Sequence, residues 1–457
     1  MWPGVVIGFG TAVTMWILWY VMHLPSIRVS APISATVLLI ALIGSVCLGT
    51  RGLGAVAPRV GLVSGLTAGL INLMLLGSKI TEAGSTPGEA TATFLPSAPL
   101  IVAGFLTICV SAGLAGGLAG RVLAPRRLRH SGFWLARFAC IAIASLIPLI
   151  VVGGAVTSAG AGMSVPDWPG TYGSNMFLYP IGLMADPYIF LEHTHRLFGT
   201  LVGLTTLTLM VATLVSRTSR FSKILACCVF VGVCIQGILG GIRVTGINEA
   251  YGAVHGVLAQ LIFASMVILA ASMTNAWRSR VSLPTETLKA ATAMRRVAVA
   301  TSACLLLQLT LASLYRHTGS QHALWAHIAF AIVVAVLVGV LGFTLQRAED
   351  FSDAGRGMRR VGRILIVAVI FQFLIGFAAW GVAGEGGPDR VVPTEAIGTV
   401  AGPAIDRTII ATIHQANGAF ILSMTALGLG WGYRFGRTVT AAKPADAGNV
   451  RAAPALG

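Results

Sequence analysis

Apolar runs of about 20 residues, the length a helix needs to cross a bilayer, recur along the whole chain, and no other property restricts its folding so strongly. Twelve can be read, at residues 3–22, 31–49, 60–78, 97–119, 134–156, 191–215, 222–242, 251–273, 297–315, 322–346, 361–381 and 407–432. Only 10% of the residues are charged, against about a quarter in a soluble domain. A spanning segment must satisfy its own backbone N–H and C=O groups, and a single apolar run of this length can do so only as a helix. The expected fold is therefore an all-α polytopic membrane protein with about twelve transmembrane helices.

The net charge of +16 would suit a nucleic-acid binder if it formed a patch. It does not. With the amino terminus inside, 24 of the 31 Lys and Arg fall in inner loops, among them Arg121, Arg126, Arg127, Arg129 and Arg137. That bias fixes both termini on the cytoplasmic side and makes the basic pI a topology signal. The first ten residues lack the basic region and cleavage site of a signal peptide and read as a retained helix. All seven cysteines fall inside the apolar runs, where small core residues are expected and an outer-face disulfide is not.

The basic stretch from Arg121 to Arg137 divides the chain. Residues 1–125 read as an accessory four-helix segment almost free of intramembrane ionisable groups. The eight runs after it repeat in order. Gly153-Gly154 stands near the end of the fifth run and Arg316-His317 at the end of the ninth. Gln236-Gly237-Ile238-Leu239-Gly240-Gly241 lies in the seventh, and Gln372-Phe373-Leu374-Ile375-Gly376 in the eleventh. The even-numbered runs each carry one early histidine: His195, His255, His327 and His414. Four helices per unit give two copies of like orientation, so residues 126–280 and 281–440 should form two four-helix bundles related by a pseudo-twofold axis along the membrane normal. Residues 441–457 read as a disordered tail.

Those four histidines lie roughly four to seven residues into helices that all run inward, a depth of about 6–11 Å in the outer leaflet. Ionisable residues inside a membrane are rare and mark function by default. Two imidazoles facing each other across a four-helix bundle can supply both axial ligands of a heme iron. The natural pairs are His195 with His255 and His327 with His414, which makes two sites.

Arg196, Arg243 and Arg316 sit at outer helix ends, against the inside bias, and a guanidinium there suits a heme propionate. Glu192 is one turn before His195 and shares its face; a carboxylate there could relay a proton. His193 points to another face. His317 and His322 flank an outer loop and read as solvated or propionate-touching, while His23 and His130 read as solvated. The loop from Gly160 to Leu191, with Val165-Pro166-Asp167-Trp168-Pro169-Gly170-Thr171-Tyr172-Gly173, reads as an ordered interfacial lid.

Over residues 134–435 these strings resemble the heme A synthase family. The resemblance rests on Gly162-Met163-Ser164-Val165-Pro166-Asp167-Trp168-Pro169, Glu192-His193-Thr194-His195-Arg196, Gln236 through Val244, His255 with Leu258-Ala259-Gln260, Arg316-His317-Thr318-Gly319, His327 and His414. It implies an eight-helix enzyme that oxidises the C8 methyl of heme O to a formyl group by successive hydroxylations, the product serving a terminal cytochrome oxidase. It implies heme b as cofactor on His327 and His414, heme O as substrate on His195 and His255, and a catalytic role for Glu192. The implied partners are heme O, the enzyme that makes it, membrane lipid and an electron donor the sequence does not specify; a homo-oligomer is left open. The implied setting is the inner membrane, with the heme sites toward the periplasm. Some members carry a cysteine pair in the long outer loop, and this chain has none. An arginine often found after the first Gly-Gly is replaced around Thr157-Ser158, and the first four helices are additional. A di-heme cytochrome b without heme chemistry is the alternative. A transporter is the third reading, but the histidines lie near the outer face rather than at the midplane where carriers bind.

Overall fold

The computed structural model describes residues 1–81, 93–123, 131–179, 184, 186–246, 249–278, 285–347, 353–382 and 402–438. The expected tail at 441–457 and His130 lie outside the described residues. The helices are α1 (Trp2–His23), α2 (Ala31–Thr50), α3 (Ala57–Ile80), α4 (Ala98–Val122), α5 (Ser131–Ala159), α6 (Pro187–Val215), α7 (Arg220–Gly246), α8 (Glu249–Ser272), a single turn α9 (Asn275–Arg278), α10 (Thr285–Thr318), α11 (Gln321–Gln346), α12 (Asp353–Gly381) and α13 (Ile405–Thr438). Among the described residues there is no strand, only two isolated bridges. Proline opens α1, α2, α3, α4 and α6, where its missing N–H costs nothing and its fixed φ suits the first turn.

Among the described residues, eleven helices are long and apolar enough to cross a membrane, so the chain is an all-α multi-pass membrane protein. The twelfth expected run lies in α13, which is not among them. Three polar residues in its outer half, His414, Gln415 and Asn417, lower its hydropathy.

Helices α5, α6, α7 and α8 pack in a closed ring, and so do α10, α11, α12 and α13. The rings meet through α8 against α13, α5 against α13 and α10 against α8. The last two contacts exchange under a twofold operation that maps α5 on α10 and α8 on α13. The duplication read from the sequence is therefore present in the packing as well.

Helices α1–α4 form the additional bundle. Their tightest contact joins α3 and α4, where Gly61, Gly65 and Gly69 face Gly113, Gly117 and Cys109; a Cβ on Gly61 or Gly65 would run into the main-chain carbonyl of Gly113 or Cys109. Lipid tails are as apolar as leucine, so helices in a bilayer gain by close backbone approach, which small residues four apart permit. Between helices of the bundle, Trp16 Nε1 donates to Asn72 Oδ1 at 2.9 Å and Asn72 Nδ2 reaches Met15 Sδ at 3.2 Å.

The added bundle is continuous with the first half. Helix α1 packs on α5 and, more lightly, on α6. Trp2 and Phe9 meet the ring of Phe138 edge-on, and Trp16 and Tyr20 meet Phe198. One apolar core runs through α1, α5, α6 and α8, and the second half has its own. At the outer end, Thr81 Oγ1 donates to the carbonyl of Leu178 at 3.2 Å and Tyr20 stacks on Phe190 at 5.4 Å.

All seven cysteines are free thiols, but only Cys47 and Cys109 are buried. Cys140, Cys228 and Cys234 are exposed on spanning helices, which corrects the expectation of core positions. A thiol is apolar enough to face hydrocarbon.

Candidate functional site

The four histidines stand eight, six, six and nine residues after the first residue of α6, α8, α11 and α13. Each lies in the outer part of its helix under the charge-derived topology. The rings of His195 and His255 face each other with centres 6.4 Å apart and planes at 68°. Those of His327 and His414 are 6.3 Å apart at 78°. The expected pairs are thus the observed ones, with nearly the same geometry in both halves. Nδ1 of His195 and of His255 is buried, and each ring faces the main chain of the preceding helix, at Leu149 and Gln236 respectively.

Each ring rests on a small residue of the preceding helix. A Cβ on Gly153 would lie 2.8 Å from Cε1 of His195, one on Gly240 would lie 3.3 Å from Cε1 of His255, and one on Gly376 would lie 3.2 Å from Cε1 of His414. Tandem glycines serve two neighbours at once. Gly154 faces Thr412 and Gln415 of α13 while Gly153 faces His195, and Gly241 lies under the Trp168 indole while Gly240 faces His255.

A residue one turn earlier on the same helix holds the histidine's backbone. Gln236 Nε2 donates to the carbonyl of His255 at 2.7 Å, Gln308 Nε2 to that of His327 at 2.9 Å, and Gln372 Nε2 to that of His414 at 3.1 Å. His327 Nδ1 lies 3.0 Å from the Gln308 carbonyl. That fixes the tautomer with Nδ1 as donor, and Nε2 lies 3.5 Å from Gln308 Nε2. Asn417 Nδ2 donates to Gln372 Oε1 at 2.8 Å and to the Ala368 carbonyl at 2.9 Å, which orients the Gln372 amide. Gln308 escaped the sequence reading because Ala312, not glycine, follows it at the fourth position.

The described stretch of the loop, residues 160–179, folds back on itself, and its fastening uses residues beside His195. Asp167 accepts from the N–H groups of Tyr172 and Gly173 at 2.6 and 3.0 Å. Thr171 and Ser174 bridge across Tyr172 and Gly173, whose φ values are 49° and 77°; two positive φ angles between paired residues make a tight hairpin turn. Thr171 Oγ1 lies 3.1 Å from Nδ1 of His193, which is fully buried and does point away from its neighbour's partner. The Tyr172 hydroxyl donates to the Ser164 carbonyl. Burial, with Glu192, Asp186 and Asp167 nearby, pushes its pKa up, so it remains a donor.

Glu192 and Arg196 are both nearly buried, at 5% and 9% side-chain exposure, and pair at 2.6 Å. The second Glu192 oxygen accepts from Val165 N at 2.8 Å. Arg196 Nη1 donates to the carbonyls of Asp167 and Gly170 at 2.6 and 2.8 Å, and Nη2 to that of Val165 at 2.9 Å as well as to Glu192. All four terminal N–H groups of Arg196 are therefore engaged within the chain. Of the three arginines expected to meet propionates, this one is turned inward, because the folded loop offers it carbonyls that a sequence cannot show.

Arg243 and Arg316 come together where α7, α8 and α10 meet. A Cβ on Gly252 of α8 would come 3.0 Å from Arg243 Nε and 2.8 Å from His317 Cε1. Arg316 Nε is buried without a partner, and Arg407 is close enough to act on Arg316 electrostatically. His317 is buried at 8% exposure, not solvated, whereas His322 is exposed. His23 stacks on Trp19 at 4.8 Å.

Trp168 supplies a direct check on the loop. A Cβ on Gly241 would overlap its ring, so Gly241→Val is expected to lift the loop from α7 and speed its cleavage by an added protease several-fold; an unchanged cleavage rate would count against the contact.

The chain is thus a helical membrane protein of duplicated four-helix units, each presenting two imidazoles to one another. Residues 183–324 match the family model COX15-CtaA, described as cytochrome oxidase assembly protein, and the resemblance read from the residues is borne out over that stretch. The match takes in Glu192, His195, Arg196, Arg243, His255 and Arg316, and supports a role in cytochrome oxidase assembly. No curated protein matches the chain.

Proposed function

We propose that the second part of the chain is a heme A synthase, with heme b held between His327 and His414 and heme O bound as substrate between His195 and His255. The separation of the paired rings carries this reading. A metal–imidazole bond of about 2 Å, plus roughly 1 Å from ring nitrogen to ring centre, sets two rings on opposite sides of one iron about 6 Å apart. The observed separations are 6.4 and 6.3 Å. Bound there, heme b would supply one-electron chemistry at a potential set by its axial ligands and their hydrogen bonds.

The remaining tasks fall to the chain. Arg243 and Arg316 would meet the propionates, as their place at the outer junction of the halves suits. Glu192 would act at the substrate site, where its carboxylate keeps the loop down on the turn that carries His195. The loop would exclude water from the reacting methyl group. Under the positive-inside rule both termini are cytoplasmic and both sites face the periplasm. This reading takes residues 126–280 as the substrate half, 281–440 as the heme b half and 1–125 as an added bundle. Its partners would be heme O, the enzyme that delivers it, membrane lipid and an electron donor.

The test is the heme content, separated by chromatography, of cells with and without this chain. Heme A only where the chain is present supports the proposal; heme b and heme O without heme A would make the chain a di-heme electron carrier. Glu192→Ala should leave the heme b band in place and stop heme A formation, and normal heme A in that variant would remove Glu192 from the reaction.

A further inference from the structure

The four histidines are not held alike. Three of them have their own main-chain carbonyl bonded by a glutamine amide from the preceding helix, at 2.7, 2.9 and 3.1 Å for His255, His327 and His414. In each case the residue four positions after that glutamine, which is Gly240, Ala312 or Gly376, stands one turn further along on the same helix face. The corresponding small residue for His195 is Gly153. Four positions before it α5 has Leu149, which has no side-chain donor. Pro148 precedes it inside the helix, and a proline there removes a further helical hydrogen bond.

His195 is held from the other side. Its neighbours Glu192, His193 and Arg196 bond respectively to Val165 N, to Thr171 Oγ1 and to the carbonyls of Val165, Asp167 and Gly170. The side chains of the α6 turn that carries His195 are therefore fastened to the loop, and the turn's tie to α5 is that of the His195 ring to the Leu149 main chain, without a glutamine brace. The loop in turn covers the outer end of the bundle and reaches α7 through Trp168 over Gly241.

We propose that His195 is the displaceable ligand of the first pair, and that the outer loop controls its grip on the iron. The inference rests on the assignment of a porphyrin to His195 and His255. When the loop lifts, the α6 turn moves and His195 withdraws its nitrogen from the metal; the bond that breaks is the iron–nitrogen bond alone, with no electron or proton transferred. His255, braced by Gln236, stays. A reactant porphyrin has to arrive and a product has to leave, so one releasable ligand serves the substrate half. The heme b half, braced on both ligands by Gln308 and Gln372, has no such need.

Carbon monoxide binding to the dithionite-reduced, full-length protein with both hemes bound tests this, because the gas enters only when an axial histidine lets go. Two kinetic phases are expected, assigned by which one His414→Ala alters. Leu149→Gln, which adds the missing brace, should slow the first-half phase about two- to tenfold, the worth of one net hydrogen bond. Thr171→Val, which cuts the loop from His193, should speed the same phase by a similar factor, and the double variant should return toward the parent rate. Gln372→Leu should speed only the second-half phase. Equal phases in the parent, or a first phase indifferent to both Leu149→Gln and Thr171→Val, overturns the proposal while leaving the two-heme reading intact. A purified protein with no heme on His195 and His255 overturns that reading and this proposal together. Loss of both heme bands in Leu149→Gln and Thr171→Val alike would show a merely structural role and also overturn it.

Discussion

Replacing His327 or His414 by alanine is expected to abolish the low-spin b-type absorption of the purified protein. Two strong-field imidazoles are what keep a heme iron six-coordinate and low-spin, and the rings stand 6.3 Å apart. His327 also donates Nδ1 to the Gln308 carbonyl, a brace that a replacement ligand would lack. Reduced-minus-oxidised spectra read the result directly. Loss of the band in His195→Ala but not in His327→Ala would reverse the assignment of the halves; persistence in all four variants would remove porphyrin from the site altogether.

Arg196→Ala is expected to be the most damaging change in the loop. It removes four hydrogen bonds and leaves the Glu192 carboxylate buried with only Val165 N. Breaking a buried ion pair on one side costs about 3–5 kcal/mol, because the remaining charge is neither paired nor hydrated. The loop should become protease-sensitive and heme A formation should fail, while the second-half spectrum persists. Arg196→Lys should not rescue it, since an ammonium cannot span three carbonyls and a carboxylate as a planar fork does. A loop as resistant as the parent's in Arg196→Ala would show that the network contributes little.

Much of this arrangement is legible without coordinates. The apolar runs specify helices because a bilayer permits little else, and the placement of arginines orders them across the membrane. The histidine pairing follows once the Gln236–Gly240 and Gln372–Gly376 strings are seen as the same element. What is not legible depends on partners. Gly61, Gly65, Gly113 and Gly117 are visible as small residues, but that they face one another across α3 and α4 depends on a neighbour that could equally have been another helix. Arg196 announces a need for anions or carbonyls, and the sequence cannot say that the carbonyls belong to its own loop. Cys140, Cys228 and Cys234 show the limit of hydropathy, since in a lipid-facing helix the same residue is comfortable on either side.

The apolar core shared by α1, α5 and α6 makes the duplicated halves unequal toward the hydrocarbon. Helix α1 occupies the flank of the first ring along α5 and α6, whereas α11, the counterpart of α6, turns Ile332, Val333, Val336, Val340 and Phe343 outward. A greasy molecule diffusing laterally in the membrane thus finds the first ring covered along α5 and α6, while the second is open along α11. Near-identical units thereby differ in which of their flanks lie open to lipid.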